Sequence, residues 1–404
     1  MEKLLDIQRV ILEQFVRQPF YDRELFRSFT FENKINGLVG SRGVGKTTFL
    51  LHHVQTCQVN QQPALYVSAD NLFFLETRLV DLVDRLYKET DIRLLCIDEI
   101  HKYAHWDQEL KNIADTYLDF HILFTGSSQI DLVHGKYDLS RRVTLYRLHG
   151  LSFREYLEIL LNKKQDGHSF EEIVQSHYSI CQAIDIQGII KLFHDYLRVG
   201  YYPFFRNFTQ EREKFQTIEN ITQKTIYEDI GTLYSLKTTS LNTIESIYKF
   251  ILNSPAGELS VYKLASDLRK DFESVSCYVQ YLEKAGLVRF LYPKKTGRAY
   301  LRNPIKLYPE NSNLLYAAYL PMNVDNMTGK VRETFVINQL QNTNISVYYS
   351  DIGDFQVEDH ILEIGGKNKN HRQVAGKKNM LVFSDGIVTG LKQKIPLYLL
   401  GFLY

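Results

Sequence analysis

The chain has 404 residues, of which 44% are hydrophobic and 24% are charged, a composition typical of folded globular proteins and not of disordered ones. Its 48 basic and 47 acidic side chains give a net charge of +1, so no overall field draws it to nucleic acid or membrane, and any such contact has to be local. None of the four cysteines forms a C-x-x-C pair, which argues against a zinc site and a disulfide framework. A chain of this length is expected to form about two to four domains.

The first thirty residues are predicted to be mainly helical, and Pro19 interrupts the apolar periodicity. The segment is amphipathic and lacks the apolar core of a signal peptide. No apolar run in the chain is long enough to span a bilayer. We therefore expect a cytoplasmic protein that does not bind membranes.

A glycine-rich segment follows the first predicted strand. Gly40 and Gly45 stand five residues apart and are followed at once by Lys46 and Thr47, which is the spacing of a P-loop. Glycines allow the main chain to curl so that several N–H groups converge on a polyphosphate, and the next helix points its positive end at the same anion. Lys46 is expected to contact the β- and γ-phosphates, and Thr47 is expected to ligate Mg²⁺. The predicted phosphate-binding residues are Gly40, Ser41, Arg42, Gly43, Val44, Gly45, Lys46, Thr47 and Thr48.

Four more apolar runs follow the P-loop at the intervals expected of alternating strands and helices. They cover residues 64–67, 94–97, 122–124 and 143–146, and each is short and rich in β-branched or aromatic residues, as buried parallel strands are. With the strand before the P-loop, the pattern predicts an α/β P-loop NTPase fold with a parallel five-stranded sheet.

Two acidic residues, Asp98 and Glu99, end the third of these strands. Ligands of open α/β sheets collect at the carboxyl ends of the strands. We expect Asp98 to hold Mg²⁺, directly or through water, and Glu99 to polarise the attacking water. The pair favours hydrolysis over phosphoryl transfer to another substrate, because it provides a group that can orient water.

Two other positions are candidates for contact with a γ-phosphate. Ser127 and Ser128 follow the fourth strand and are equally suited to sense it; a structural turn is the alternative for either. Arg142 is expected to stabilise charge on the phosphate oxygens, and a surface position is its alternative. The arginine could act within its own subunit or on a neighbour's nucleotide, and the second case would require a homo-oligomer.

These motifs together resemble a family of prokaryotic AAA-type ATPases. In that family the ATPase core is followed by a winged helix and by a C-terminal domain with a restriction-endonuclease-like fold. The resemblance implies ATP as the nucleotide, a cytoplasmic location and a role in DNA transactions, defence or mobile elements. It covers nearly the whole chain and rests on residues 40–47, 98–101, 125–128, Arg142, 151–156, 200–203, 329–333 and 363–367.

The resemblance also predicts the domain boundaries. It places the ATPase core at residues 1–150, a helical lid at 151–238, a winged helix at 239–300 and the restriction-endonuclease-like domain at 301–404. Within the lid, Ser152 and Glu155 have the spacing of a capping box that opens a helix.

Residues 242–298 carry the pattern of three helices and a hairpin, the outline of a winged helix-turn-helix. Lys294, Lys295 and Arg298 cluster at its turn, where contact with DNA phosphates would be sensitive to salt and blind to sequence. The helix that would read the groove carries three acidic residues, which argues against strong base readout. A module used only for packing or for protein contact is the alternative.

The last hundred residues are predicted to form a helix at 329–341 and strands near 345–350, 354–358, 360–365, 379–384 and 396–403. The resemblance implies that Glu333, Asp354 and Glu363 are remnants of a metal-dependent nuclease site with a lysine nearby. The lysine is expected two residues after Glu363, where Gly365 stands. Lys367 would lie about 13 Å further along an extended strand unless a bulge brings it back, so we expect no nuclease activity.

The sequence thus predicts a Mg²⁺-dependent ATPase that acts on or binds DNA. Two alternatives stay open: an ATP-gated binding switch with little turnover, and an ATP-gated, metal-dependent nuclease.

Overall fold

The structure, a computed structural model, describes residues 1–126, 139, 141–255, 259–294, 305–318, 327–369 and 379–404. The chain divides into two units, Met1–His149 and Gly150–Tyr404. The first unit ends at His149, and the predicted domain boundaries at 150, 238 and 300 stay predictions. Across the described ranges, no helix is both long enough and apolar enough to cross a membrane.

The described part of the first unit contains a five-stranded sheet in the order β2-β3-β4-β1-β5, with every neighbouring pair parallel. The α/β class and the parallel five-stranded sheet that the apolar runs predict are thereby confirmed. The strands are β1 (Ile35–Val39), β2 (Ala64–Ser68), β3 (Leu94–Asp98), β4 (His121–Gly126) and β5 (Val143–Arg147).

Helices cover this sheet, and their apolar faces pack against the buried strands. Every residue of β1 is buried, as expected for a central strand between two layers of helices. The helices are α1 (Glu2–Val16), α2 (Glu24–Ser28), α3 (Lys46–Val59), α4 (Leu79–Glu89) and α5 (Trp106–Thr116), with short 3-10 segments at Leu72–Leu75 and Ile100–Lys102.

The outer edge of β2 is covered by one side chain of α1. The buried amide of Gln8 donates from Nε2 to the carbonyl of Ala64 (3.1 Å) and accepts from the backbone N–H of Tyr66 (2.5 Å). Gln8 therefore satisfies the backbone groups on both sides of Leu65, as a neighbouring strand would.

The second unit begins with a layer of helices. The predicted capping box is present: Glu155 N–H donates to Ser152 Oγ (3.1 Å), and Ser152 N–H donates to Glu155 Oε2 (3.2 Å). Described helices up to residue 284 are α6 (Phe153–Leu161), α7 (Phe170–Ile184), α8 (Ile189–Asp195), α9 (Glu211–Lys224), α10 (Gly231–Leu233), α11 (Thr238–Asn253), α12 (Val261–Leu268) and α13 (Phe272–Lys284), and two further helices span Ser312–Ala318 and Thr328–Asn342.

A mixed sheet fills the rest of this unit; its described strands follow the order β12-β11-β10-β9-β8-β6-β7. They are β6 (Val288–Pro293), β7 (Lys306–Pro309), β8 (Val347–Tyr349), β9 (Phe355–Val357), β10 (His360–Gly365), β11 (Met380–Ser384) and β12 (Lys394–Pro396). Because β6 pairs in parallel with β8, the β6–β7 hairpin and the C-terminal strands share one sheet that crosses the predicted boundary at residue 300.

The prediction of a last strand at 396–403 is wrong. Strand β12 ends at Pro396, and Leu397–Phe402 is a 3-10 helix whose six residues are all buried. A short, continuous apolar run is equally compatible with a buried strand and a buried helical turn, so its periodicity could not separate the two.

Candidate nucleotide-binding site

The P-loop turn lies between β1 and α3. Gly43 (φ 84°) and Gly45 (φ 103°) adopt left-handed backbone angles, which glycine reaches without steric cost. Helix α3 begins at Lys46, so the N-terminal end of the helix faces the loop. The buried Lys46 side chain lies along this loop, where Nζ donates to the carbonyls of Gly40 (2.8 Å) and Ser41 (3.0 Å). Backbone amides and one ammonium group therefore converge at the position predicted for a phosphate.

Gly40 has a separate, steric reason to be glycine. The chain that leaves β5 lies directly against it, and Leu148 N–H donates to the carbonyl of Val39 (2.8 Å). A Cβ on Gly40 would lie 2.3 Å from the carbonyl oxygen of Leu148, which is closer than any real contact. The carbonyl of Leu148 therefore leaves no room for any side chain at the first glycine of the motif.

Arg23 supports the same loop from the N-terminal segment. This arginine is 6% exposed, and one of its Nη atoms donates to the carbonyls of Val44 (3.0 Å) and His149 (2.9 Å). Sequence reasoning missed Arg23, because a single basic residue after Pro19 gives no local signal of its partners.

Asp98 is the centre of a group of hydroxyls beside the P-loop. Its Oδ2 accepts from Thr47 Oγ1 (2.7 Å) and from the hydroxyl of Tyr66 (3.2 Å), and its Oδ1 accepts a very short hydrogen bond from Thr125 Oγ1. The carboxylate is 5% exposed. Burial, together with the charge of Asp98, raises the pKa of Tyr66, which keeps this hydroxyl a neutral donor.

These residues fit a magnesium ion. A buried carboxylate and a threonine hydroxyl within hydrogen-bond distance supply the oxygen ligands that Mg²⁺ prefers, and the P-loop beside them leaves the remaining positions to phosphate and water. The structure therefore places Thr47 and Asp98 together, as their predicted roles require.

Glu99 follows Asp98 and has a left-handed backbone (φ 54°). Its N–H donates to Thr125 Oγ1 (3.0 Å), so one threonine holds both acidic residues. The Glu99 carboxylate lies 3.6 Å from Lys102 Nζ, and Lys102 also contacts Asp70 Oδ2 (3.2 Å). Burial lowers the pKa of Lys102, but the hydrogen bond to Asp70 and the charge of Glu99 outweigh that effect and raise it. In this structure, then, the proposed base faces a protonated lysine.

The predicted sensor serines, Ser127 and Ser128, lie outside the described residues. Thr125, two positions earlier, is the polar residue that the described end of β4 brings beside Asp98 and Glu99. It belongs to the same Thr-Gly-Ser-Ser run as Ser127 and Ser128, whose sensor role stays a prediction.

Arg142, predicted to act either within its own subunit or on a neighbour's nucleotide, lies away from the P-loop of its own chain. It precedes β5, whose first residue pairs with Ile35 at the start of β1, whereas the P-loop follows the other end of β1. The two ends of that strand are about 13 Å apart. The Arg142 guanidinium instead pairs with Asp115 through Nε (2.9 Å) and Nη2 (3.2 Å).

A second group of charged residues lies in the C-terminal unit. Lys369 Nζ is 2.7 Å from Glu363 Oε1 and 3.7 Å from Asp354 Oδ2. The chain turns at 366–369 and folds this side chain back over Gly365, where a Cβ would lie 2.1 Å from Lys369 Cδ. The lysine beside Glu363 is therefore Lys369 and not Lys367, and the glycine at 365 makes room for it.

Glu333 lies on the helix Thr328–Asn342 near this group. Burial raises the pKa of Glu333 to about 7; the hydrogen bond from the Tyr308 hydroxyl (2.9 Å) acts against that shift, and Asp354 adds to it. Across the described part of the chain, no three acidic, histidine or cysteine side chains are close enough together to hold a metal ion.

Of the predicted basic cluster at the wing, Lys295 and Arg298 lie outside the described residues. Lys294 is exposed and donates from Nζ to the carbonyl of Glu358 (2.8 Å).

Comparison with known proteins gives two matches to family models. Residues 32–157 match a family described as an AAA domain, and residues 190–326 match a domain of unknown function. The chain is also 28% identical over 399 residues to the uncharacterized protein MJ1637 of Methanocaldococcus jannaschii, and this match covers 89% of the chain and 81% of that protein.

Similar solved structures include AMPPCP-bound DnaA from Aquifex aeolicus, at 18% identity and a TM-score of 0.29, covering 69% of this chain and 88% of that one. Another is a variant of Thermotoga maritima RuvB, at 18% identity and a TM-score of 0.31, covering 74% and 93%. Residues 32–157 are thus similar to an AAA domain, and this match together with the P-loop geometry supports ATP binding.

Proposed function

We propose that the chain is a Mg²⁺-dependent ATPase that hydrolyses ATP at the P-loop of its first unit. The observation that carries this proposal is the 2.7 Å hydrogen bond between Thr47 and Asp98, directly beside the buried ammonium group of Lys46. This hydrogen bond brings the proposed metal ligands next to the phosphate-binding loop, and Glu99, the residue proposed to orient water, follows Asp98 in the chain. All of them lie at the carboxyl ends of parallel strands.

Each residue then has one role. The amides of residues 40–48 and Lys46 bind the phosphates, and Thr47 and Asp98 hold the ion. When bound, Mg²⁺ supplies positive charge against the phosphate oxygens. Glu99 orients the attacking water and accepts its proton, which requires its carboxylate to face the water instead of Lys102.

The test is steady-state release of phosphate from ATP by the wild type, Glu99→Gln and Lys46→Ala. We expect Glu99→Gln to keep its affinity for ATP and to lose about 100-fold or more in turnover, since a general base contributes about that much. Lys46→Ala should lose nucleotide binding. Glu76→Gln is the matched control, because Glu76 is an exposed glutamate to which the proposal gives no role.

Equal and measurable turnover in the wild type and Glu99→Gln would contradict the role of Glu99. ATP binding with no turnover in either protein would support the alternative of an ATP-gated switch. Retained affinity in Lys46→Ala would remove the P-loop assignment itself.

We infer a second candidate function for the C-terminal unit, because one observation now favours it. The expectation of no nuclease activity depended on the absence of a lysine near Glu363, and Lys369 Nζ lies 2.7 Å from that carboxylate. In metal-dependent cleavage of a phosphodiester, carboxylates hold the ion and a lysine beside them would stabilise negative charge near the attacking water. Strands β6 and β7 follow α11–α13 in the element order of a winged helix, and the exposed Lys294 directly after β6 would contact the DNA backbone.

This candidate is tested by incubating the full chain with plasmid DNA and Mg²⁺ or Mn²⁺, with and without ATP. Nicking that disappears in Lys369→Met and Glu363→Gln, and persists in Lys392→Met as an exposed control, would support it. DNA binding without cleavage would leave the unit as a binding module, and cleavage that survives Lys369→Met would contradict the role of this lysine.

A further inference from the structure

Tyr66 lies on β2, beside β3, and its hydroxyl donates to Asp98 Oδ2 (3.2 Å). It is one of three hydroxyls that hold this carboxylate, and it reaches Asp98 from the side of the sheet away from β4. Thr125 on β4 holds the other oxygen, Oδ1. The carboxylate is therefore restrained at both oxygens, one from each neighbouring strand.

We propose that Tyr66 is a positioning residue for the magnesium ion, and that it acts by fixing the orientation of Asp98. The inference rests on the proposed ATPase function. Tyr66 need not touch ion or nucleotide: with one oxygen held by Thr125 and the other by Tyr66, the carboxylate cannot rotate about its Cβ–Cγ bond. The face that meets Thr47 is thereby kept turned toward the start of α3.

The backbone of Tyr66 is fixed as well. Its N–H donates to Gln8 Oε1 (2.5 Å), and Gln8 also holds the carbonyl of Ala64. The β2 edge is thus tied to α1 at the residue that carries the hydroxyl, so the position of the Tyr66 ring depends on α1 as well as on the sheet. Tyr66 is therefore bound at two points, by Gln8 at its backbone N–H and by Asp98 at its hydroxyl.

A hydroxyl buried only for stability would have a different signature. Its removal would lower the melting temperature and leave the response to Mg²⁺ unchanged. A positioning hydroxyl alters the response to Mg²⁺ while leaving metal-free nucleotide binding intact, because the phosphates are held by the loop amides and Lys46 and not by Asp98. Tyr66→Phe removes only the oxygen and keeps the ring in the core.

The experiment measures a fluorescent ATP analogue bound to the full chain. Affinity is first measured in EDTA, and Mg²⁺ is then titrated at fixed nucleotide for the wild type, Tyr66→Phe and Tyr117→Phe. Tyr117→Phe is the matched control, since its hydroxyl also donates to a carboxylate, Asp84 (2.6 Å), away from the P-loop. We expect the Mg²⁺ concentration at half-saturation to rise about tenfold or more in Tyr66→Phe alone, as for loss of one hydrogen bond to a charged group.

The affinity in EDTA should stay within about twofold for all three proteins, since the hydrogen bond removed is not one that holds phosphate. Turnover at saturating Mg²⁺ should recover most of its wild-type value, whereas turnover at limiting Mg²⁺ should not. An unchanged Mg²⁺ half-saturation in a folded Tyr66→Phe would overturn the inference while leaving the ATPase proposal intact. If the wild type binds no nucleotide, the proposed ATPase function itself is wrong. Failure of the Tyr66 proposal can thus be distinguished from failure of the ATPase proposal.

Discussion

The guanidinium of Arg23 donates to the carbonyl of Val44 (3.0 Å), in the middle of the P-loop. The same group reaches the carbonyl of His149 (2.9 Å), so the N-terminal segment and the chain after β5 are joined through one buried cation. A P-loop binds phosphate through backbone N–H groups that point toward the anion. A hydrogen bond to a carbonyl on the other side of the loop fixes the peptide planes and so the direction of these N–H groups. Arg23 holds one of these carbonyls.

We therefore predict that Arg23→Met weakens binding of ATP by about tenfold and lowers the melting temperature by about 5 °C, because buried carbonyls lose their donor. Arg9→Met is the control; Arg9 pairs with Asp6 on the exposed side of α1. Nucleotide titration and thermal unfolding measure the two effects. Wild-type affinity in Arg23→Met would show that the loop keeps its shape without this donor.

The contact between Gly40 and Leu148 gives a steric prediction. Gly40→Ala should destabilise the first unit by about 2 kcal/mol or more, because a backbone carbonyl cannot move aside as a flexible side chain can. Gly329→Ala is the control: its Cβ would meet nothing within 4 Å, and its helical position favours alanine. Thermal unfolding of both variants provides the measurement, and a melting temperature for Gly40→Ala equal to that of the wild type would contradict the steric clash.

The position of Arg142 predicts that it does not contact the nucleotide bound to its own subunit. Its pair with Asp115 is solvent-exposed, and such pairs contribute about 0 to 1 kcal/mol. Arg142→Gln should therefore keep wild-type stability, and nucleotide affinity should stay within about twofold because the residue lies at the other end of β1. Arg141→Gln serves as the neighbouring control.

A loss of turnover in Arg142→Gln at unchanged affinity would indicate that the arginine acts on a nucleotide bound to another subunit. Mixing Arg142→Gln with Glu99→Gln would then restore part of the activity, since each protein supplies what the other lacks. A tenfold loss of affinity in Arg142→Gln would contradict its placement.

Glu333 gives a pH-dependent prediction. The pKa of Glu333 is about 7 in the folded protein and about 4.3 in an unfolded chain, so between these values the folded state holds the proton more tightly. The stability that Glu333 contributes is complete below about pH 4.3 and is lost as the pH rises through about 7, by a few kcal/mol at most. Glu333→Gln stays neutral and keeps the acceptor for the Tyr308 hydroxyl.

The variant should thus gain melting temperature relative to the wild type as the pH is raised from about 4.5 to 8. The exposed Glu273→Gln on α13 is the control and should follow the wild type. A difference between Glu333→Gln and wild type that is the same at every pH would refute the raised pKa.

Sequence reasoning succeeded where the signal is local. The P-loop is encoded by glycine spacing within one turn, and the strands of the first sheet by short runs of β-branched residues, so both were predicted with their positions. Thr125 was not predicted as a partner of Asp98 and Glu99, because those contacts depend on how β4 lies beside β3.

Residues whose role depends on distant partners could not be predicted. Tyr66 meets Asp98 across 32 residues and Arg23 meets Val44 across 21, and no spacing rule connects such pairs. Lys369 was missed for another reason: the sequence analysis considered Lys367 on an extended strand or after a bulge, whereas β10 ends at Gly365 and the chain turns back. The buried run after Pro396 was assigned to the wrong class because burial hides periodicity.

Strand β6 pairs with β8, yet in the described part of the chain β7 and two helices lie between Pro293 and Val347. During synthesis on the ribosome, β6 is complete well before β8 emerges. The edge of β6 that pairs with β8 therefore stays unpaired while the helices between the two strands are made. A fragment that starts near residue 301 would lack β6 altogether and expose the edge of β8 to other copies of itself. The second unit therefore has to be produced as one chain to stay soluble, although the predicted boundary at residue 300 divides it into separate domains.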